Sequence, residues 1–241
     1  MAEEFEGRDL SDATFWGVDL RRATFRDVDL TGVRVSHAWL VDVEIDALVE
    51  RVTINGVDVT GFVNERDPWY PLRAMLRPRD PEGMRAAWTA LEQAWSPAID
   101  RAGQLDAPQR HESVGGEWSF VQTLRHLVFA MDKWFIVPVL GDSQFHPIGL
   151  PNRGSVDFGW PGLDRAAEPT FDHVLAVRAE RAARLRAFLA DVEPTDLRRE
   201  VEVLENGTTP VDECLFTVFA EEFHHLRYAF RDLAALSRFL I

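Results

Sequence analysis

A period of five residues runs through the first quarter of the chain and restricts its fold more than any other feature. Large apolar residues recur at every fifth position and, after a slip of one residue, the pattern continues to residue 59. The recurring apolar positions are Phe5, Leu10, Phe15, Leu20, Phe25, Leu30, Val35, Leu40, Ile45, Val49, Ile54 and Val59. A period of five is neither the period of a β-strand nor that of an α-helix, so it indicates a stack of short repeated units.

Small or β-branched residues such as Ala13, Val18 and Ala23 stand two positions before most of these apolar residues. The combined pattern resembles the pentapeptide-repeat family. The resemblance implies a short right-handed quadrilateral β-helix whose narrow core holds both kinds of residue. Twelve units at four per coil make about three coils, each adding roughly 4.8 Å. Such a short stack has open ends, so we expect it to dock on the rest of the chain.

Prolines end the repeat and indicate a domain boundary. They are Pro68, Pro71, Pro78 and Pro81. Because proline interrupts regular structure, residues 67–81 are predicted to form a linker between a β-helix at 1–66 and a second domain at 82–241.

Residues 82–241 carry four stretches of apolar residues at helical spacing. These stretches predict helices over 82–102, 119–138, 171–191 and 211–239, typical of a four-helix bundle. Alternation over 199–203, followed by Asn-Gly, predicts a small hairpin. The segment 141–168 is rich in Gly and Pro, and its length favours a functional loop or a cover over a site. The predicted fold class is therefore multi-domain β + α.

The pair Glu221 and His225 on the last predicted helix is the sharpest chemical feature. Residues four apart project from one face of a helix, within reach of a common ion. His126, midway along the second predicted helix, is the natural third donor. Two imidazoles and one carboxylate leave positions open for water or substrate. A solvated helix face would explain the same charged residues without a metal.

Two neighbouring residues, Glu221 and Glu222, are candidates for the carboxylate ligand. On a helical wheel Glu222 lies between His225 and the apolar stripe of its helix, so it faces the core more than Glu221 does. Cys214, about two turns earlier on the same side, is interpreted as a buried inert thiol. Arg178 and Arg181 either bind the carboxylates of a thiol or are solvated charges paired with Glu180.

Trp118-Ser119, followed by His126-Leu127 and a late Glu-x-x-x-His, resembles the DinB and mycothiol-dependent maleylpyruvate isomerase superfamily over roughly residues 80 to 241. The resemblance implies a metal-binding helical bundle with His126, Glu221 and His225 as ligands, since the family spacing favours Glu221. It also implies a metal-dependent transferase or isomerase that uses a thiol such as mycothiol and acts on a small electrophile. Zinc is the divalent ion we expect.

Composition restricts the partners and the compartment. The net charge of −14 argues against binding to a nucleic-acid backbone. The single cysteine is typical of a reducing compartment, and the start MAEEFEGRDL lacks the features of a signal peptide, so we expect a cytoplasmic protein without a membrane segment. Only Lys133 among 26 basic residues is lysine, which suggests a GC-rich bacterium and thereby favours mycothiol.

Two non-enzymatic functions are alternatives to the metal-dependent enzyme. In one, the repeat contacts a protein partner, such as gyrase, or a second copy in a homodimer, and the bundle is a scaffold. In the other, the metal is structural and pins the second helix to the fourth.

Overall fold

A computed structural model describes residues 4–5, 8–25, 28–152 and 159–236 of the 241-residue chain. The chain divides into two compact units, Met1–Asp46 and Ala47–Ile241. In the described residues, none of the helices combines the length and apolarity needed to cross a membrane.

The first unit repeats one turn every ten residues. Backbone hydrogen bonds of 3.0 to 3.1 Å join Ala13 to Leu10, Ala23 to Leu20 and Val33 to Leu30. An aspartate precedes each turn, and the side chains of Asp9, Asp19 and Asp29 accept the amide hydrogens of Ser11, Arg21 and Thr31 at 2.8 to 3.0 Å. Aspartate favours such turns because its carboxylate satisfies the free amide two residues later.

The apolar side chains of the repeat are about half exposed, from 45% at Leu10 to 70% at Ile45. Among the described residues of this unit, no strand pairing is formed. The quadrilateral β-helix, and its docking on the rest of the chain, remain predictions.

The second unit begins with a short hairpin of β1 (Thr53–Ile54) and β2 (Val57–Asp58), followed by helix α1 (Thr60–Asn64). Asn55 and Gly56 connect the strands with φ of 51° and 82°. A two-residue turn with both φ values positive suits the twist of a hairpin, and Asn-Gly is its preferred sequence. The period-five pattern extends through Ile54 and Val59 and predicts repeat units there, whereas the structure has a hairpin. The predicted domain limits of 1–66, 67–81 and 82–241 stay predictions.

Four long helices form most of the second unit and match the predicted stretches. They are α3 (Pro81–Gly103), α5 (Phe120–Met131), α6 (Phe171–Asp191) and α8 (Val211–Leu236). Asp80 and Thr170 cap α3 and α6, because their side-chain oxygens accept the amide hydrogens of Gly83 at 2.7 Å and His173 at 3.3 Å. The predicted end of the last helix at 239 lies outside the described residues.

Short elements complete the unit. These are α2 (Tyr70–Arg73), α4 (Ala107–Arg110), a π-helical turn (Asp132–Ile136), α7 (Pro194–Leu197), β3 (Glu200–Glu202), a 3₁₀ turn (Leu204–Asn206) and β4 (Thr208–Pro210). The antiparallel pairing of β3 and β4 confirms the predicted hairpin. The predicted linker packs against the helices, since Trp69 and Leu72 contact both main apolar clusters.

The core lies between the four long helices. α3 and α5 each pack against both α6 and α8. One apolar cluster centres on Trp88, Phe135 and Phe219, and the other on Trp95, Leu124 and Leu226. This packing brings α5 and α8 side by side, and with them the residues predicted as metal ligands.

Candidate metal centre

His126 lies in the middle of α5 and is held there by backbone contacts. Ser119 and Gln122 form a reciprocal capping box that starts the helix. The side chain of His126 is 5% exposed. Its Nδ1 lies 3.0 Å from the carbonyl oxygen of Leu150. When Nδ1 donates its proton to this carbonyl, the lone pair of Nε2 is left free.

Glu221 and His225 face His126 from α8. Oε2 of Glu221 lies 3.3 Å from Nε2 of His126 and 3.3 Å from Nδ1 of His225. Nδ1 of His225 also lies 2.9 Å from the backbone carbonyl oxygen of Glu221. A proton on Nδ1 that is donated to this carbonyl leaves Nε2 of His225 available as a donor atom.

The three side chains form one compact group. Their potential ligand atoms all lie within 4.8 Å of one another. In the parts of the chain that the structure describes, no other group of three histidine, cysteine, aspartate or glutamate side chains converges in this way. The structure therefore brings together the three residues that the sequence predicted.

The electrostatics of the group suit ligands for a cation. Burial acts to raise the pKa of Glu221, but the hydrogen bond with His126 and the nearby His225 and His224 outweigh burial, so this pKa lies below its ordinary value. Burial and the adjacent His126 lower the pKa of His225 to about 4. At neutral pH, Glu221 is therefore a carboxylate and His225 a neutral imidazole.

Glu222 has a different environment from its neighbour. Its side chain is 5% exposed and accepts a hydrogen bond of 2.9 Å from Nη2 of Arg178 on α6. The helical wheel predicted correctly that Glu222 faces the core. There the carboxylate forms an ion pair and does not join the two histidines.

Arg181 forms one buried ion pair and one at the surface. Its Nε lies 3.1 Å from a carboxylate oxygen of Asp132, which has no exposed surface, and it contacts Glu180 as well. Arg178 and Arg181 therefore stabilise contacts of α6 with α8 and with the π-helical turn. The predicted pairing with Glu180 is formed by Arg181, but both arginine side chains are largely buried and not solvated. Binding of a thiol's carboxylates stays a prediction.

The segment predicted to cover a site makes contact with a candidate ligand. Leu150 donates its amide hydrogen to the carbonyl of Arg125 at 3.1 Å and accepts from His126. The amide of His146 donates to Asp132 at 2.7 Å, and Nε of Arg125 donates to the carbonyl of Ile148 at 2.9 Å. Residues 146–150 are thus hydrogen-bonded to α5 and to the π-helical turn that follows it, and they orient the His126 ring.

Aromatic rings surround the two imidazoles. The ring centroid of Trp118 lies 4.6 Å from that of His126 and 6.1 Å from that of His225. Phe129 lies 6.1 Å from His126, and Tyr228 lies edge-on to His225 at 6.0 Å. The sequence indicated Trp118 only as part of a motif. The role of Leu150 could not be predicted from the sequence, because a backbone carbonyl has no residue-type signal.

Cys214 is fully buried, and burial raises its pKa to about 11. This environment agrees with an inert thiol. Asp232, two turns of α8 beyond His225, accepts hydrogen bonds from Arg231.

The donor set fits a divalent transition metal. Two imidazole nitrogens and one carboxylate oxygen are ligands that zinc accepts, and both imidazoles have their second nitrogen on a backbone carbonyl, as metal-binding histidines usually do. Three protein donors are fewer than the four of a closed structural zinc site.

The comparisons with known proteins agree with this site. The chain belongs to the DinB superfamily, whose family model matches residues 73–229. A model for pentapeptide repeats matches eight copies over residues 9–43. Members of the DinB superfamily bind metals, and the match supports a metal-binding, DinB-like protein. Neither the curated proteins nor the solved structures gave a significant match.

Proposed function

We propose that the protein is a metal-dependent thiol S-transferase or isomerase in which His126, Glu221 and His225 hold one divalent ion, zinc in the first instance. The observation that supports this most directly is the convergence of the three ligand atoms within 4.8 Å, with each imidazole anchored through Nδ1. A bound divalent ion lowers the pKa of a coordinated thiol, so that the thiol reacts as a thiolate.

The residues of the chain have separate tasks in this proposal. Leu150 and the backbone of Glu221 keep the two imidazoles in the tautomer that binds a cation. Glu221 contributes negative charge that compensates part of the charge of the ion. The rings of Trp118, Phe129 and Tyr228 make the surroundings apolar, which strengthens electrostatic interactions within the site.

A transferase joins a low-molecular-weight thiol to a small electrophile. The sulfur forms a bond to carbon, and the leaving group departs with the bonding electrons and takes up the thiol proton. In an isomerase no group leaves: the thiol adds to a carbon–carbon double bond, the resulting single bond rotates, and elimination breaks the carbon–sulfur bond and releases the thiol with its proton. Mycothiol is the thiol that we test first.

The metal is tested by elemental analysis of purified protein after exhaustive dialysis. We expect about one equivalent of metal in the unmodified protein and a loss of most of it in His126→Ala and His225→Ala, because each variant removes one of three donors. His224→Ala is the matched control, since it alters the adjacent histidine on the same helix and should keep the metal. Full metal content in His126→Ala would refute the assignment.

The activity is tested on the metal-loaded protein by following thiol consumption with mycothiol, bacillithiol and glutathione against a set of small electrophiles. Turnover that requires both the metal and one of these thiols supports the transferase. If the protein holds its metal but consumes none of the thiols, the metal is instead structural and pins α5 to α8.

A second function is favoured by the first unit. Trp16 and Trp39 are 90% and 93% exposed there. Exposed aromatic residues are common anchors of protein interfaces. The alternative is therefore a non-catalytic scaffold that binds a protein partner, or a second copy of this chain, through the repeat. An unchanged rate of DNA supercoiling by gyrase in the presence of the protein would remove the gyrase version.

A further inference from the structure

One indole ring lies against both candidate metal-binding imidazoles. The ring centroids of Trp118 and His126 are 4.6 Å apart, and the Trp118 ring is nearly parallel to that of His225, with 23° between the planes. The two imidazole centroids are themselves 4.8 Å apart. The three rings therefore form a single packed group, in which a change in one ring plane disturbs the other two.

The position of Trp118 is determined by the start of α5. Trp118 directly precedes the cap residue Ser119, whose side chain accepts the amide hydrogen of Gln122 at 3.3 Å while Oε1 of Gln122 accepts the amide hydrogen of Ser119 at 2.9 Å. This reciprocal arrangement fixes the backbone that enters the helix. The half-buried indole is thus held on the same rigid element that supplies His126.

Exposure of the cluster is uneven. The side chain of His126 is 5% exposed and that of His225 is 15% exposed, whereas Glu221 is 29% exposed. The ring contacts of Trp118 are with the two less exposed residues. Water and other small molecules consequently reach the cluster mainly beside Glu221.

We propose that Trp118 is a positioning residue of the metal centre. Its indole keeps the planes of both imidazoles in the orientation that binds the ion and excludes water behind them, so that a thiol enters beside Glu221. This inference rests on the proposed metal site, but it concerns a residue that supplies no ligand atom. Tyr228 contacts the imidazole of His225 but not that of His126, so we expect it to contribute less to the orientation of the ligands.

The test compares zinc affinity among variants of the full-length protein. Trp118→Ala should weaken zinc binding by about tenfold or more, the range for groups that orient a metal ligand, as measured by competition with a chromophoric chelator. Trp118→Phe keeps an aromatic ring and should restore affinity to within about threefold of the unmodified protein. Trp134→Ala removes another half-buried indole, in the π-helical turn that follows the same helix, and it should bind zinc normally.

Cobalt supplies a readout of ligand geometry that general destabilisation does not change. With Co²⁺ in place of zinc, we expect the visible absorption spectrum to change in Trp118→Ala and to remain normal in Trp118→Phe and Trp134→Ala. Trp118→Leu retains apolar volume without an aromatic plane, and it replaces the alanine variant if the latter does not fold.

The outcomes separate this inference from the proposed function. Normal zinc affinity and a normal cobalt spectrum in Trp118→Ala would overturn the role of Trp118 and leave the ligand assignment intact. Equal weakening in Trp134→Ala would show a general effect on stability and would also overturn it. Failure of the unmodified protein to bind zinc or cobalt would overturn both proposals together.

Discussion

Glu221 and Glu222 are adjacent in the sequence, but their side chains lie in different environments. Glu221 lies between two histidines, whereas Glu222 is buried against Arg178. We expect Glu221→Gln to fold normally but to retain well below one equivalent of metal, because the amide is a weaker ligand. Glu222→Gln should keep its metal and lower the free energy of unfolding by about 3 kcal/mol, because it leaves the charge of Arg178 without a counterion.

The pair of variants is measured by elemental analysis and by denaturant unfolding. Each variant is the control for the other, since both exchange the same chemical groups on neighbouring residues. Loss of metal in Glu222→Gln with retention in Glu221→Gln would reverse the assignment of the carboxylate ligand.

Cys214 should be unreactive in the folded protein. Its thiol is fully buried, and with a pKa of about 11 the thiolate fraction at pH 8 is only about 0.1%. We expect no reaction with a chromogenic disulfide reagent over minutes in buffer, and one equivalent after unfolding in guanidinium. Rapid reaction of the native protein would show that the helix around Cys214 opens readily.

At the scale of an element, the start of α5 determines the placement of two residues of the centre. Ser119 is buried and caps the helix that carries His126, while Trp118 directly precedes it. Ser119→Ala should lower the free energy of unfolding by about 1 kcal/mol, because the amide of Gln122 loses its side-chain acceptor. Ser119→Thr keeps a capping hydroxyl without adding a charge and serves as the control in the same thermal or denaturant measurement. Equal stability of the alanine variant and the unmodified protein would contradict the prediction.

The π-helical turn and the segment that follows it also act as one element. Asp132 begins the turn and accepts the amide of His146, while Leu150 accepts the proton of His126. Burial raises the pKa of Asp132, although Arg181 and the His146 amide act in the opposite direction. The length and composition of 141–168 predicted a functional segment. The pattern of residues could not predict that this segment contacts His126 through a main-chain carbonyl.

At the scale of the whole molecule, the compact units allow a test by truncation. All three candidate ligands and both main apolar clusters lie within Ala47–Ile241. We therefore expect a protein that lacks residues 1–46 to fold cooperatively and to keep the same metal content as the full chain. The measurements are elemental analysis and thermal unfolding, with His225→Ala in the truncated protein as control. Aggregation or loss of metal would mean that the repeat is required for the second unit.

The sequence alone determined the features that depend on residues close together in the chain. The period of five, the four helical stretches, the Asn-Gly hairpin at 200–210 and the spacing of Glu221 and His225 all reflect local backbone geometry, which depends on neighbours a few residues apart. Asn55-Gly56 has the same local chemistry, but the period-five pattern extends across it, so no hairpin was predicted there.

Contacts between distant elements were decided only by the tertiary structure. Helix periodicity placed Glu222 towards the core but did not show that Arg178 on α6 would pair with it. Nor did it place the carbonyl of Leu150 or the indole of Trp118 against His126. Such contacts depend on how helices cross and on where a long segment returns, and many arrangements of the same apolar stripes bury similar areas. The sequence thus named the candidate ligands, and the packing of α5 against α8 determined their surroundings.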